Sequence, residues 1–223
     1  MTSVIVPIFE SQETLLRTLE SIDQLDHVIQ SKIEVVLVFD GQNEECKQII
    51  DAWKNKTDCN NIIATQEHAG VAAARNLGVK ASSHDIITFL DTDDELLPAR
   101  FAVFPESSSH EIIIGKQELI VQGNLHIQKP DLTSVTSPSA FHILTMVLRR
   151  ETFDFVGGFD TSYSHGSDWD LIIRARELAC TIDYSNIVFI RRYAHDNNHS
   201  LDAKKVRLQH LAAVRQHLKK REI

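Results

Sequence analysis

Long apolar runs are missing from this 223-residue chain: no stretch approaches the roughly 18 consecutive apolar residues of a membrane span. The opening Met1-Thr2-Ser3-Val4-Ile5-Val6-Pro7 lacks the basic flank and long apolar region of a secretory signal. Cysteine is scarce and odd in number. Cys46, Cys59 and Cys180 form neither a disulfide framework nor a zinc spacing, so a reducing compartment, the cytoplasm, is expected. Excess positive charge is also absent. A net charge of −8 excludes a general nucleic-acid binder. Internal repeats and low-complexity linkers are lacking, and an apolar fraction of 43% supports a real core, so the chain reads as one domain.

The richest segment is Ile86-Ile87-Thr88-Phe89-Leu90-Asp91-Thr92-Asp93-Asp94-Glu95. Apolar and β-branched residues stop abruptly at a cluster of acids, as expected of a strand buried on both faces. The first half alternates such strands with helices. Ser3–Pro7, Ile33–Phe39 and Ile62–Thr65 read as further strands. Between them, Ser11 is placed to cap a helix with stripe Leu15, Leu16, Leu19 and Ile22. Glu44–Lys54 repeats apolar residues at helical spacing, and Val71–Lys80 is an alanine-rich helix. Strands alternating with helices of this length predict βαβ units and a parallel sheet.

Beyond Pro98 the rhythm changes. Ile112–Ile114, Leu119–Val121, Phe141–Leu148 and Ile187–Arg191 read as strands, and Gly123-Asn124 as a hairpin turn. Phe153–Val156 precedes a break at Gly157-Gly158. Asp168–Leu178 reads as a helix, and Asp202 caps a last one. The expected class is α/β: a Rossmann-like, mostly parallel central sheet with flanking helices and a mixed second half. Its parts are residues 1–98 as a nucleotide-binding half, 99–200 as a catalytic half and 201–223 as a basic helix.

If the strands are parallel, Asp40 and the Asp91/Asp93 pair share the carboxyl edge, where open α/β sheets bind ligands. Gathering carboxylates there is unfavourable unless a cation or a donor-rich ligand neutralises them. A nucleotide diphosphate with a divalent ion, Mn²⁺ or Mg²⁺, supplies both, and Asp40 is then able to accept a hydrogen bond from a base or ribose. The plainer alternative makes Asp40-Gly41 a turn and Asp91–Glu95 a solvated loop. Arg75 reads either as a base or phosphate contact or as a surface helix charge.

The order of segments resembles the family 2 glycosyltransferases, which have a GT-A fold. The resemblance rests on Val6-Pro7-Ile8-Phe9-Glu10 for a Pro-x-Tyr-Asn-like turn and Phe39-Asp40-Gly41 for an Asp-Asp-Gly turn. It continues through Gly70-Val71-Ala72-Ala73-Ala74-Arg75-Asn76-Leu77-Gly78 and Phe89-Leu90-Asp91-Thr92-Asp93-Asp94. It closes with Gly157-Gly158-Phe159-Asp160 and Ser167-Asp168-Trp169-Asp170. It implies a metal-dependent transfer of one sugar from a nucleotide-diphospho-sugar, a uridine diphosphate sugar by expectation, to a glycan or lipid-linked acceptor, with inversion. Pro7, Phe9, Asp40, Arg75, Asp91 and Thr92 would bind the donor. Asp91 and Asp93 would form the DXD pair on the metal, with His195 as a further ligand. Asp168 would be the general base, since a sugar hydroxyl is a poor nucleophile and a carboxylate must take its proton. A helix N-cap is the competing role for Asp168, and Asp170 the competing base.

Three departures stand out: Phe39 replaces the first acid of its turn, Phe9-Glu10 the usual Tyr-Asn, and Ser167 the first acid before Trp169. They keep a non-catalytic nucleotide-sugar binder or assembly partner as an alternative. A sugar-nucleotide pyrophosphorylase fits less well, because Pro7-Ile8-Phe9-Glu10-Ser11 has no glycine. The Gln-x-x-Arg-Trp signature of processive synthases is absent. Seven cations between Ala203 and Arg221 leave −15 for the remainder. That helix either docks its leucines on an acidic body, the preferred reading, or touches an anionic membrane at its inner face through residues 202–221.

Overall fold

A computed structural model describes residues 1–103, 110–121, 142–163, 166–194 and 214. The chain runs β1 (Thr2–Ile8), α1 (Leu15–Asp23), α2 (His27–Gln30), β2 (Ile33–Asp40), α3 (Glu44–Lys54), β3 (Asn60–Gln66), α4 (Val71–Ala81), β4 (Ile86–Phe89) and β5 (Glu95–Leu96). After a 3-10 turn at Pro98–Ala102 come β6 (Ile112–Val121), a second such turn at Ile143–Thr145, β7 (Met146–Arg149), α5 (Arg150–Val156), α6 (Ser167–Glu177) and β8 (Ile182–Ala194).

Among the described residues eight strands form one sheet in the order β3-β2-β1-β4-β7-β6-β8-β5. The strands from β3 to β4 are parallel, β7 runs antiparallel to both β4 and β6, and β6 pairs with β8 in parallel. The parallel half has helices to cover it. Accordingly β2 is buried at every position, which is why it reads as an unbroken apolar run. Helix α4 lies so close to β1 and β2 that a Cβ on Gly78 would meet Ile5 Cγ2 at 2.3 Å and Val38 Cγ2 at 3.0 Å. Only a hydrogen fits, and this contact fixes the height at which α4 carries Arg75.

Pro7 is buried within β1. Pairing of β1 with β4 stops at Ile5–Phe89, so the missing N–H of Pro7 leaves no ladder gap on that side. Helix α5 ends at Gly157, whose φ of 89° closes the helix while the Gly157 and Gly158 amides donate to the Phe153 carbonyl. Phe89, Phe153 and Phe159 then meet edge to face or tilted, with centroids 5.3–6.3 Å apart, tying β4 to α5 and to the segment after it.

Several local expectations are corrected. Residues 112–121 form one strand rather than two, with an irregular register at Lys116 and Gln117 against β8. The predicted strand at 141–148 is a 3-10 turn followed by β7. Ser11 does not cap α1: Thr14 holds that position, and Ser11 Oγ instead donates to the Phe9 carbonyl. Leu16, placed in the apolar stripe, is 50% exposed. The Gly123-Asn124 turn and the 202–221 helix, apart from Val214, lie outside the described residues, and so do both readings of that helix, docking on the body and membrane contact. Among the described residues no helix is long and apolar enough to cross a membrane.

Candidate functional site

Because β1, β2 and β4 are parallel, Phe9, Asp40 and Asp91 all follow the carboxyl ends of their strands at one edge. Along 91–94 burial alternates. Thr92 (9% exposed) and Asp94 (1%) turn inward, while Asp91 and Asp93 are half-buried and turn outward. Helix α1 pins this loop from beneath. Arg17 donates to the Asp93 carbonyl at 2.6 Å, Thr18 Oγ1 to the Asp94 carbonyl at 2.8 Å, and the Leu96 amide to Ser21 Oγ at 3.0 Å. Thr92 Oγ1 donates to Ser11 Oγ at 2.6 Å, so Thr92 braces the loop instead of facing the open side.

Strand β8 closes the far flank. Arg192 lies 3.4 Å from Asp94, the Tyr193 amide donates to Asp94 Oδ1 at 3.1 Å, and Arg191 and the Tyr193 hydroxyl reach Glu95. The Arg17 guanidinium stacks 3.8 Å over the Tyr193 ring. Burial pushes Asp94 up to about 7; Arg192 opposes this, while the neighbouring Asp93 and Asp91 add to it. The loop therefore concentrates negative charge that its surroundings only partly offset.

Arg75, 5% exposed, donates to Asp91 Oδ1 at 2.8 Å, and its guanidinium lies 5.8 Å from the centre of the Phe159 ring. Its Nε, like that of Arg17, is buried and finds no hydrogen-bond partner among the described residues. Asn76 brackets Phe159, accepting from its amide at 2.9 Å and donating to its carbonyl at 2.8 Å. The Gly-Gly-Phe segment is thereby fixed beside Arg75.

Asp40 is 3% exposed and holds the loop ahead of α4. Its Oδ1 accepts from Gln66 Nε2 at 2.8 Å and the Ala69 amide at 2.7 Å, and its Oδ2 from the Gly70 amide at 2.9 Å. His68 Nδ1 approaches Oδ2 at 3.1 Å, and the His68 ring stacks on Phe9 with centroids 4.3 Å apart. Burial raises the Asp40 pKa, but these donors outweigh it and the group lies below its ordinary value.

In α6 the N-cap is Gly166, so Asp168 is not the cap. It sits half-buried in the first turn, and its Oδ1 accepts from the Trp169 amide at 3.0 Å. Asp170 is 1% exposed and paired with Arg174 at 2.6 Å. Arg174 also donates to the Val156 and Gly158 carbonyls, docking α6 on the segment beside Arg75. Asp170 is thus committed to packing, and Asp168 is the more accessible acid. His195 lies outside the described residues.

Sequence reasoning missed Arg17, His68, Arg192 and Tyr193, whose partners lie far along the chain and leave no spacing signal. Among the described residues no group of three or more histidine, cysteine or acidic side chains forms a ready metal site. Asp91 and Asp93 nonetheless supply two hard oxygen donors on one pinned loop, which suits a divalent cation whose other ligands come from a bound phosphate.

A parallel α/β sheet whose carboxyl edge carries a pinned acidic loop is the framework of the nucleotide-sugar transferases of the GT-A type. Residues 3–172 match the model of Glycosyl transferase family 2, and the chain belongs to that family. The amylovoran biosynthesis glycosyltransferase AmsE of Erwinia amylovora is 33% identical over 192 residues, covering 80% of this chain and 70% of AmsE. The fold superposes on S. aureus TarS residues 1–349 in complex with UDP-GlcNAc at a TM-score of 0.72, with 20% identity and coverage of 91% of this chain and 61% of that one. The mannosyltransferase PcManGT from Pyrobaculum calidifontis, in complex with GDP-Man and Mn²⁺, gives 0.72, 17%, 96% and 64%. The chain spans from 13% to 80% of the length of curated relatives it matches.

Proposed function

We propose that this chain transfers a single sugar from a nucleotide-diphospho-sugar to an acceptor hydroxyl. The observation that carries the reading is the alternation along 91–94, which turns Asp91 and Asp93 outward at the edge where Arg75 and Phe9 also sit. Family membership and the nucleotide-sugars bound by TarS and PcManGT support it.

Asp91 and Asp93 would hold a divalent cation, Mn²⁺ or Mg²⁺, which when bound stabilises the charge on the departing diphosphate. Arg75 holds Asp91 in place and Arg17 holds the Asp93 backbone, so two guanidinium groups place positive charge beside the loop. Asp40 builds the wall at the base end. Asp168 takes the proton of the acceptor hydroxyl as the new bond forms, leaving Asp170 to pack. A base and a leaving-group site on separate elements suit one in-line displacement with inversion. A glycan or lipid-linked acceptor is proposed, as is a cytoplasmic location.

The test is release of nucleoside diphosphate from a panel of UDP- and GDP-sugars with manganese. Turnover by wild type, with donor affinity kept and turnover lost in Asp168→Asn, is the expected result. Donor affinity without turnover in either protein would favour the non-catalytic binder that Phe39 and Ser167 leave open.

A further inference from the structure

His68 is a polar group at the carboxyl edge for which the donor-site reading has no role. Asp40, which the family pattern would aim at the base, has both carboxylate oxygens already occupied. Oδ1 takes Gln66 Nε2 and the Ala69 amide; Oδ2 takes the Gly70 amide, and His68 Nδ1 lies 3.1 Å from it. With three donors on it, the His68 ring beside it and 3% exposure, the carboxylate presents no open side to a ligand. The depressed pKa keeps this carboxyl ionised, and an ionised carboxylate only accepts hydrogen bonds. A ring nitrogen 3.1 Å from an ionised carboxylate is favoured as N–H, which in the neutral ring leaves the lone pair on Nε2.

That ring is held on two sides and open on a third. Phe9 stacks on its face at 4.3 Å with the planes 24° apart, and Asp40 grips Nδ1 at 3.1 Å. The side chain is 58% exposed, and Nε2 has no partner among the described residues. Phe9, 48% exposed, offers a neighbouring apolar surface on which a planar base can rest.

We propose that His68, not Asp40, reads the donor's base: Nε2 accepts the ring N–H that uracil carries at N3 and guanine at N1. Asp40 is a positioning residue that sets the tautomer of His68. Cytosine and adenine present a lone pair at the corresponding ring nitrogen, so acceptor would face acceptor. The assignment rests on the donor-site reading above and adds to it a rule for base choice.

Calorimetric titration of the full chain with manganese tests it, using UDP, GDP, CDP, ADP and the ring-N-methylated analogue of whichever of UDP and GDP binds better. In wild type, UDP or GDP binds about five- to tenfold tighter than CDP, ADP and the methylated analogue, the worth of one hydrogen bond. His68→Ala weakens the preferred nucleotide by that factor and leaves the methylated analogue unchanged, so their ratio collapses to one. His68→Gln, whose carbonyl accepts, restores part of it. Equal weakening of both ligands in His68→Ala would mean packing alone and would overturn the proposal. Should His68→Ala fail to fold, the wild-type series still decides: no preference for UDP or GDP overturns it. Wild type that binds no nucleoside diphosphate would instead overturn the donor site, and this assignment with it.

Discussion

The two edges of the sheet treat their carboxylates in opposite ways. At the amino edge Glu34, wholly buried near the start of β2, accepts from Ser3 Oγ at 2.6 Å, Ser83 Oγ at 2.7 Å, the Ser83 amide and the His84 amide. Burial raises its pKa, yet these donors prevail and it lies below its ordinary value. At the carboxyl edge Asp91, Asp93 and Asp94 crowd one loop, and Asp94 is driven the other way, with its neighbours adding to the effect of burial. A carboxylate that serves the fold is surrounded by donors from the fold. The acidic loop is held largely through its backbone by Arg17 and Thr18, while Arg75 beside Asp91 and Arg192 beside Asp94 offset part of its charge. Asp40 belongs to the first kind although it sits at the second edge.

Breaking the proposed catalytic machinery should cost activity and little stability. Asp168→Asn should lower kcat by about 10²- to 10⁴-fold, the usual worth of a general base, with donor affinity measured by calorimetry nearly unchanged. Breaking the amino edge should do the reverse. Glu34→Ala leaves four donors without their acceptor, of which Ser3 Oγ is buried, and should cost about 1–3 kcal/mol in urea unfolding, with kcat of the folded fraction preserved.

Acidification sharpens the same contrast. The folded pKa of Glu34 lies below its ordinary 4.5, so its contribution is fully present above that value and is lost as pH falls through the folded pKa. Stability measured by denaturant should therefore decline below about pH 4.5, and Glu34→Gln should flatten part of that decline. The smallest effect is expected within the loop. Thr92→Val removes the bond to Ser11 while keeping the shape, and should cost about 1 kcal/mol in the same unfolding assay.

Much of the parallel half could be read from the amino acids because its central strands β1, β2 and β4 are covered on both faces. The apolar run of β2, and the alanine-rich α4 with Gly78 against Ile5, each point to one conformation. The second half was harder because its pairing is irregular. The polar Lys116-Gln117-Glu118 looks like a break between two strands, yet these residues lie at a register shift beside β8 and are not fully buried. In the site, Asp91 and Asp93 announced themselves by following a buried strand. The partnerships of Arg17 with Asp93, Arg192 with Asp94 and His68 with Asp40 join residues 28 to 98 positions apart, and periodicity carries no trace of them. Ser11 illustrates the limit of local chemistry: a residue suited to capping a helix was drawn into the turn that braces Thr92.

The most direct measurement is calorimetric titration of UDP and GDP into wild type, Asp93→Ala and Glu34→Gln, each with and without manganese. The account predicts that one nucleotide binds wild type and Glu34→Gln only when manganese is present, and that Asp93→Ala loses this binding while remaining folded. Binding that is indifferent to manganese and survives in Asp93→Ala would contradict it.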